Sequence, residues 1–137
     1  MIPLEEVEKA YVAGIVDGEG TVTLMKHHKN ETHIPFVGIA NNNLELLKWI
    51  KSLIGGNICS KKKRLPHHND SYVLNIRQDR ALRFLGEISK YLIIKKPQAE
   101  LILKKYKSVT HRNGRYTPVL LQKKMQLVAE IRKLNQR

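Results

Sequence analysis

Two carboxylates, Asp17 and Glu19, stand in the run Asp17-Gly18-Glu19-Gly20, directly behind the small and apolar stretch Val12-Ala13-Gly14-Ile15-Val16. Carboxylate oxygens are hard donors. With no cysteine or histidine close by in sequence, they suit Mg²⁺ rather than zinc or iron. Gly14 and Gly18 are four apart and Ala10 extends the series, a spacing at which two helices can approach backbone to backbone. This stretch occurs once in the 137 residues. The packing partner it implies is a second chain, and a two-fold dimer is the simplest closure. Two helix ends side by side would each present Glu19. Paired carboxylates at the negative end of the helix dipole make an anionic spot that attracts a cation.

The elements that must position these groups can be read from periodicity. Residues 4–17 are predicted to be a helix whose second half is apolar all round, with Gly18 and Gly20 supplying a left-handed stop. Two alternating stretches, 21–29 and 32–40, fit a hairpin about Lys29-Asn30-Glu31. Pro35 should weaken the second strand's centre or place it at a sheet edge. Asn41 to Asn43 form a capping cluster for a helix over 44–54, and Gly55-Gly56 should end it. A second hairpin is predicted over 57–64 and 71–78. Asp79 should then cap a helix over 80–92, Pro97 should open one over 97–107, and a basic loop leads to a last helix over 118–135. Strands in antiparallel pairs, separated by helices, define an α+β class. The predicted architecture is an αββαββα core with one four-stranded antiparallel sheet, helices on one of its faces, and further C-terminal helices. One domain spans 1–137, with a core over 1–107 and a loop and helix over 108–137.

Net charge is +13 and unevenly spread. Residues 1–20 hold one base and five acids, net −4, and the remainder is net +17. Such a surface suits a polyanion, nucleic acid before membrane; a merely solvated basic surface is the plain alternative. Cys59 is the only cysteine, which excludes an internal disulfide and a cysteine-cluster zinc site. No apolar run reaches the roughly 18 residues of a membrane span, and the acidic start lacks a signal-peptide pattern. The expectation is an intracellular, non-secreted protein with no membrane partner. The histidine pairs His27-His28 and His67-His68 cannot each chelate one metal from a strand, where neighbours point to opposite faces; exposed histidines on loops and strands suit contacts to phosphates or bases, with plain exposed loop positions as the alternative.

An uncovered sheet face has the shape to enter a DNA major groove. Strand alternation nominates Thr23, Met25, His27 and Lys29 on the first strand. It nominates Ser60 and Lys62 on the third, and Ser71, Val73, Asn75 and Arg77 on the fourth. Arg77 and Lys62 suit guanine and Asn75 suits adenine. A one-residue slip would flip any of these assignments. Lys61, Lys63 and Arg64, with the basic 104–115 region, suit phosphate.

The nine residues Val12 to Gly20 resemble the LAGLIDADG motif of homing endonucleases. Val12 stands for the leading leucine and Glu19 for the second aspartate, and a helix precedes and a hairpin follows, as in that family. The resemblance implies a homodimeric, metal-dependent endonuclease that cuts both strands of a long pseudo-palindromic DNA site and leaves short 3′ overhangs. It would be encoded in a mobile intron or intein-like element and act in a prokaryotic cytoplasm or nucleoid, or in an organelle. It implies Glu19 and the Gly18 carbonyl as metal ligands, for Mg²⁺ or Mn²⁺, with Ca²⁺ as a non-catalytic substitute. Ala13, Gly14, Asp17 and Gly20 become structural motif residues. It also implies a catalytic-pocket lysine, best matched by Lys95 with Lys96 as the alternative, and a polar residue after the second strand, best matched by Asn41. Plain readings remain beside these: a helix-start lysine and a helix-capping asparagine. An RNA maturase or a non-cleaving DNA-binding protein on the same scaffold is the main competitor. A basic ribosomal or RNA-packaging protein would not need an acidic pair at a tight helix end.

Overall fold

The computed structural model describes residues 3–26, 28–29, 31–61, 66, 70–111 and 115–136. His27, Lys62 and Lys63 lie outside the described residues, as do Arg64, His67 and His68.

Glu6–Glu19 forms α1 and passes without a loop into strand β1, Gly20–Met25. The expected left-handed stop is not used. Gly18 is inside the helix, and Gly20 is extended at φ −95° and ψ 165°. Glycine is required at 20 for space instead: a Cβ there would lie 2.8 Å from the Val16 carbonyl oxygen. Strand β2 is Ile34–Asn41, α2 is Leu44–Ile54, β3 is Asn57–Lys61 and β4 is Ser71–Arg77. Then come α3, Gln78–Ile88, a short 3-10 turn, α4, Lys96–Lys105, and α5, Pro118–Asn135.

The strands form one antiparallel sheet in the order β1-β2-β4-β3. So β2 is central, not an edge. Pro35 is tolerated because the β2–β4 ladder runs only from Phe36 to Asn41, leaving Pro35 paired to β1 alone. β4 turns into α3 through Gln78 at φ 60°, and Asp79 lies in the first helical turn rather than at the cap. At the end of α2, Gly56 takes φ 105°, where a Cβ would meet the Asn75 carbonyl at 2.7 Å.

One sheet face carries Val22, Leu24, Val37, Ile39, Leu74 and Ile76, all buried. Against it pack Val12, Ala13 and Val16 of α1, Leu47 and Ile50 of α2, and Phe84, Leu85 and Ile88 of α3. Ile102 of α4 and Leu127, Val128 and Ile131 of α5 complete the same cluster. Burying each such side chain contributes about 1.5–3 kcal/mol, and this sets the orientation of α1 against the sheet. No helix of the described residues is long and apolar enough to cross a membrane.

Two buried basic groups lie where α5 meets the β1–β2 connection. Lys124 is 1% exposed; its Nζ donates to Thr32 Oγ1 at 3.0 Å and the Tyr116 hydroxyl at 2.9 Å, between the Tyr106 and Tyr116 rings. His33 is also buried, contrary to the exposed position expected of it. Its desolvation, reinforced by the charges of Arg132, Lys26 and Lys124, pushes its imidazole below the ordinary value. Below the unfolded value of about 6.5 the unfolded chain therefore binds the proton better. Stability should fall as pH drops from about 6.5, by at most about 1.4 kcal/mol per pH unit for this one proton. Urea titrations of wild type and His33→Phe at pH 7.5 and 5.5 check this. The variant should lose distinctly less stability over that interval.

Candidate active site and sheet face

Glu19 closes α1 at the point where the helix meets the sheet. Its carboxylate accepts a hydrogen bond from Asn41 Nδ2, across 22 residues of sequence. The Asn41 amide has only one workable orientation. Its Oδ1 already accepts from the Asn43 backbone N–H at 2.7 Å, so its NH₂ group faces Glu19. The cap of α2 is Asn43, whose Oδ1 accepts from Leu46 N at 3.1 Å. The capping cluster thus divides its work: Asn43 starts the helix and Asn41 holds the carboxylate.

Asp17 faces the other way. Its two carboxylate oxygens accept the backbone N–H groups of Ile93 at 2.7 Å and Lys95 at 2.9 Å. Each such bond to a charged acceptor contributes about 1.5–3 kcal/mol. Asp17 therefore pins the segment that precedes α4 onto the end of α1, and both its oxygens are occupied. Lys95 is the N-cap residue of α4, and its ammonium group makes no ion pair or hydrogen bond among the described residues. The alternative, Lys96, is engaged: its Nζ donates to the Lys90 carbonyl at 3.4 Å. Gly18 is exposed in the last turn of α1, where carbonyls lack an intrahelical partner.

Two open surfaces converge on Glu19. The first is the outer face of α1. Val7 is 79% exposed and Tyr11 56%, and Ala10, Gly14 and Gly18 are exposed beside them. A Cβ on Gly14 or Gly18 would touch nothing within 4 Å. Trp49 of α2 meets Tyr11 edge to face with ring centroids 5.5 Å apart. Ala13, the other small motif residue, is fully buried on the core side.

The second surface is the uncovered sheet face. Pairing places Thr21, Thr23 and Met25 of β1 opposite Gly38, Phe36 and Ile34 of β2, and Phe36, Gly38 and Ala40 of β2 opposite Arg77, Asn75 and Val73 of β4. The nominated positions Thr23, Met25, Ser71, Val73, Asn75 and Arg77 share this face. The third strand is one residue out of step. Cys59 opposes Val73 and Lys61 opposes Ser71, so Cys59 and Lys61 are on the open face and Ser60 is on the other. Lys29 is not on a strand at all, because β1 ends at Met25 and Lys29 lies in a turn. Sequence reasoning also passed over Thr21, Phe36 and Cys59; the two-residue alternation would have added them once the pairing was known. Arg77 lies over the Phe36 ring at 5.8 Å and its buried Nε has no hydrogen-bond partner among the described residues. A shallow concavity on this face is lined by Glu19 and Thr21 at the β1 side, by Gly38 and Asn75, and by Lys61 on β3.

Among the described residues no group of three or more His, Cys, Asp or Glu could hold a metal ion by itself. One protomer brings the Glu19 carboxylate and nearby helix-end carbonyls. Their hard oxygen chemistry is of the kind that suits Mg²⁺.

A family model described as "LAGLIDADG-like domain" matches residues 6–89, and the chain belongs to the LAGLIDADG family. A comparison with curated proteins returned no match. Among solved structures, the chain is similar to the archaeal intron-encoded homing endonuclease I-Vdi141I in complex with DNA. That match has 21% identity and a TM-score of 0.76, covering 98% of this chain and 87% of that one. It is similar also to the homing endonuclease I-CvuI, in complex with the I-CreI target in the presence of Mg. There the identity is 18% and the TM-score 0.74, covering 94% of this chain and 82% of that one. Against I-GzeII, a LAGLIDADG homing endonuclease bound to its DNA target, identity is 24% and the TM-score 0.66. That match covers 88% of this chain but only 43% of the other. These likenesses are likenesses of fold.

Proposed function

We propose that the chain is a sequence-specific, double-strand DNA homing endonuclease that acts as a homodimer on a long pseudo-palindromic site. One observation carries the reading: Glu19 stands where the open sheet face and the exposed small-residue face of α1 meet. A second copy packed on that α1 face would bring two Glu19 carboxylates together between two sheets. Glu19 and the Gly18 carbonyl of both protomers would hold Mg²⁺ or Mn²⁺, with Ca²⁺ as a non-catalytic substitute. The ion supplies neutralisation of charge developing on phosphate oxygens.

The chain's own groups prepare that site. Asn41 orients the Glu19 carboxylate, and Asp17 fixes the backbone from which Lys95 extends a positive charge toward the phosphate. The strand side chains Thr23, Met25, Val73, Asn75 and Arg77 read base edges, with Thr21 and Cys59 beside them, and Lys61 and Lys29 meet phosphate. Cleavage leaves short 3′ overhangs.

The test is a cleavage selection on a randomised duplex library with Mg²⁺, with chelator and Ca²⁺ as controls. Recovery of one enriched pseudo-palindromic site, cut on both strands only with Mg²⁺ or Mn²⁺, is the expected result. Binding to that site should weaken steeply between 50 and 200 mM salt, by roughly a thousandfold or more if about six phosphates are contacted. Tight, specific duplex binding without cutting under any divalent metal would turn the reading to a DNA-binding protein. Selective binding of a structured RNA would turn it to a maturase.

A further inference from the structure

The end of α5 reaches back to β1, which follows Glu19, and to α4, which follows Lys95. Asn135, the last residue of α5, donates from Nδ2 to the Val22 carbonyl of β1 at 3.1 Å. Its Oδ1 accepts from Gln98 Nε2 at 3.0 Å, and the Leu134 carbonyl accepts from the same nitrogen at 3.4 Å. The direction is determined: the Val22 carbonyl can only accept, so Asn135 must turn its oxygen to Gln98, and Gln98 must answer with its nitrogen. Gln98 is in the first turn of α4, three residues beyond Lys95; Val22 is three residues beyond Glu19. One side chain therefore bonds both sides of the site at equal remove.

Packing alone does not call for this pair. Ala99 and Ile102 already bury the same side of α4 in the core. Gln98 is 4% exposed, and its Oε1 has no partner among the described residues. A buried amide left half satisfied carries a desolvation cost that an apolar residue of similar volume would avoid. What the amides add is direction. Asp17 clamps the backbone just before α4, at the N–H groups of Ile93 and Lys95. The bond from Gln98 through Asn135 to β1 is a second point, and two points set the angle of the first turn.

We propose that Asn135, acting through Gln98, is a positioning residue for strand cleavage: it sets the placement of Lys95 relative to Glu19. It touches neither DNA nor metal. The proposal rests on the endonuclease reading, and its test separates the two. The full chain is compared as wild type, Asn135→Leu, Gln98→Leu and the double variant, using the DNA site recovered by selection. Single-turnover cleavage at saturating protein should fall about 10- to 100-fold in each single variant, the effect of a misplaced group. DNA affinity measured in Ca²⁺ should stay within about threefold, because no contact to DNA is removed. The double variant should be no slower than the worse single one, since both changes break one connection. Independently of activity, hydrogen exchange at the amides of Lys95 and Ala99 should quicken in Asn135→Leu while that of the β2–β4 ladder does not. A variant that cleaves at the wild-type rate, or whose rate loss follows a matching loss of affinity or of ladder protection, overturns the proposal. Wild type that cuts no DNA overturns the endonuclease reading instead; an altered exchange pattern would then leave the clamp in place without its catalytic meaning.

Discussion

Glu19→Gln should abolish cleavage and leave DNA binding intact. The replacement has the same shape, and its amide oxygen can still accept from Asn41, so the end of α1 keeps its geometry. What it loses is the negative charge. Its NH₂ group would face a metal ion as a donor, and the other carboxylate of the motif, Asp17, faces away. Both oxygens of Asp17 are already taken by the N–H groups of Ile93 and Lys95. The rate should fall by about a thousandfold or more, as when a group aimed at developing charge is removed. Affinity in a chelator should hold or tighten, because two carboxylates per dimer no longer repel the phosphates. Cleavage gels and fluorescence anisotropy on the same preparation read both quantities. Full cleavage by Glu19→Gln would remove Glu19 from the metal assignment.

Gly14→Leu should give a more stable protomer and a broken dimer. Gly14 sits in the middle of α1 with open space around it, so the protomer has room for the side chain. Leucine should favour the helix by about 0.8 kcal/mol over glycine. Across a two-fold interface the same side chain meets its own copy. Overpacking at about 1–3 kcal/mol per site, twice over, should weaken association roughly 30-fold or much more. Light scattering should then report the 15.8 kDa monomer at concentrations where wild type is paired. Cleavage of both strands should vanish even though melting rises. An unchanged dimer in Gly14→Leu would mean that the α1 face is not the contact. A stripe of Val7, Tyr11 and Trp49 left exposed would then need another partner.

Much of this molecule was legible before any coordinates. The bounds of α2 and α5 follow from local chemistry: Asn43 and Thr117 accept from backbone N–H groups three residues on, and Gly55 and Pro118 mark an end and a start. The nine-residue motif carried the family, and alternation placed Thr23, Met25, Val73, Asn75 and Arg77 on one face. The errors share a cause. β3 is Asn57-Ile58-Cys59-Ser60-Lys61, in which Ile58 alone is aliphatic and packs against the core, so a single residue marks which face is which. The pairing with β4 decides, and it puts Ser60 opposite to expectation. Pro35 leaves a weakened strand centre and a sheet edge both open, because a sequence cannot show where a neighbouring ladder begins.

Local residue pattern was thus enough to determine the order of elements, the charge division between the acidic helix and the basic remainder, and the identity of Glu19 as the group to test. The tertiary structure alone decided how that group is held. Asn41 reaches Glu19 across 22 residues, Asp17 reaches Lys95 across 78, and Asn135 reaches Val22 across 113. Helix caps and turns are contacts of a few residues, whose energetics are written in neighbouring side chains. These three are closures between distant elements. They exist only because burial of one apolar sheet face brings the end of α1, the start of α4 and the end of α5 to the same place.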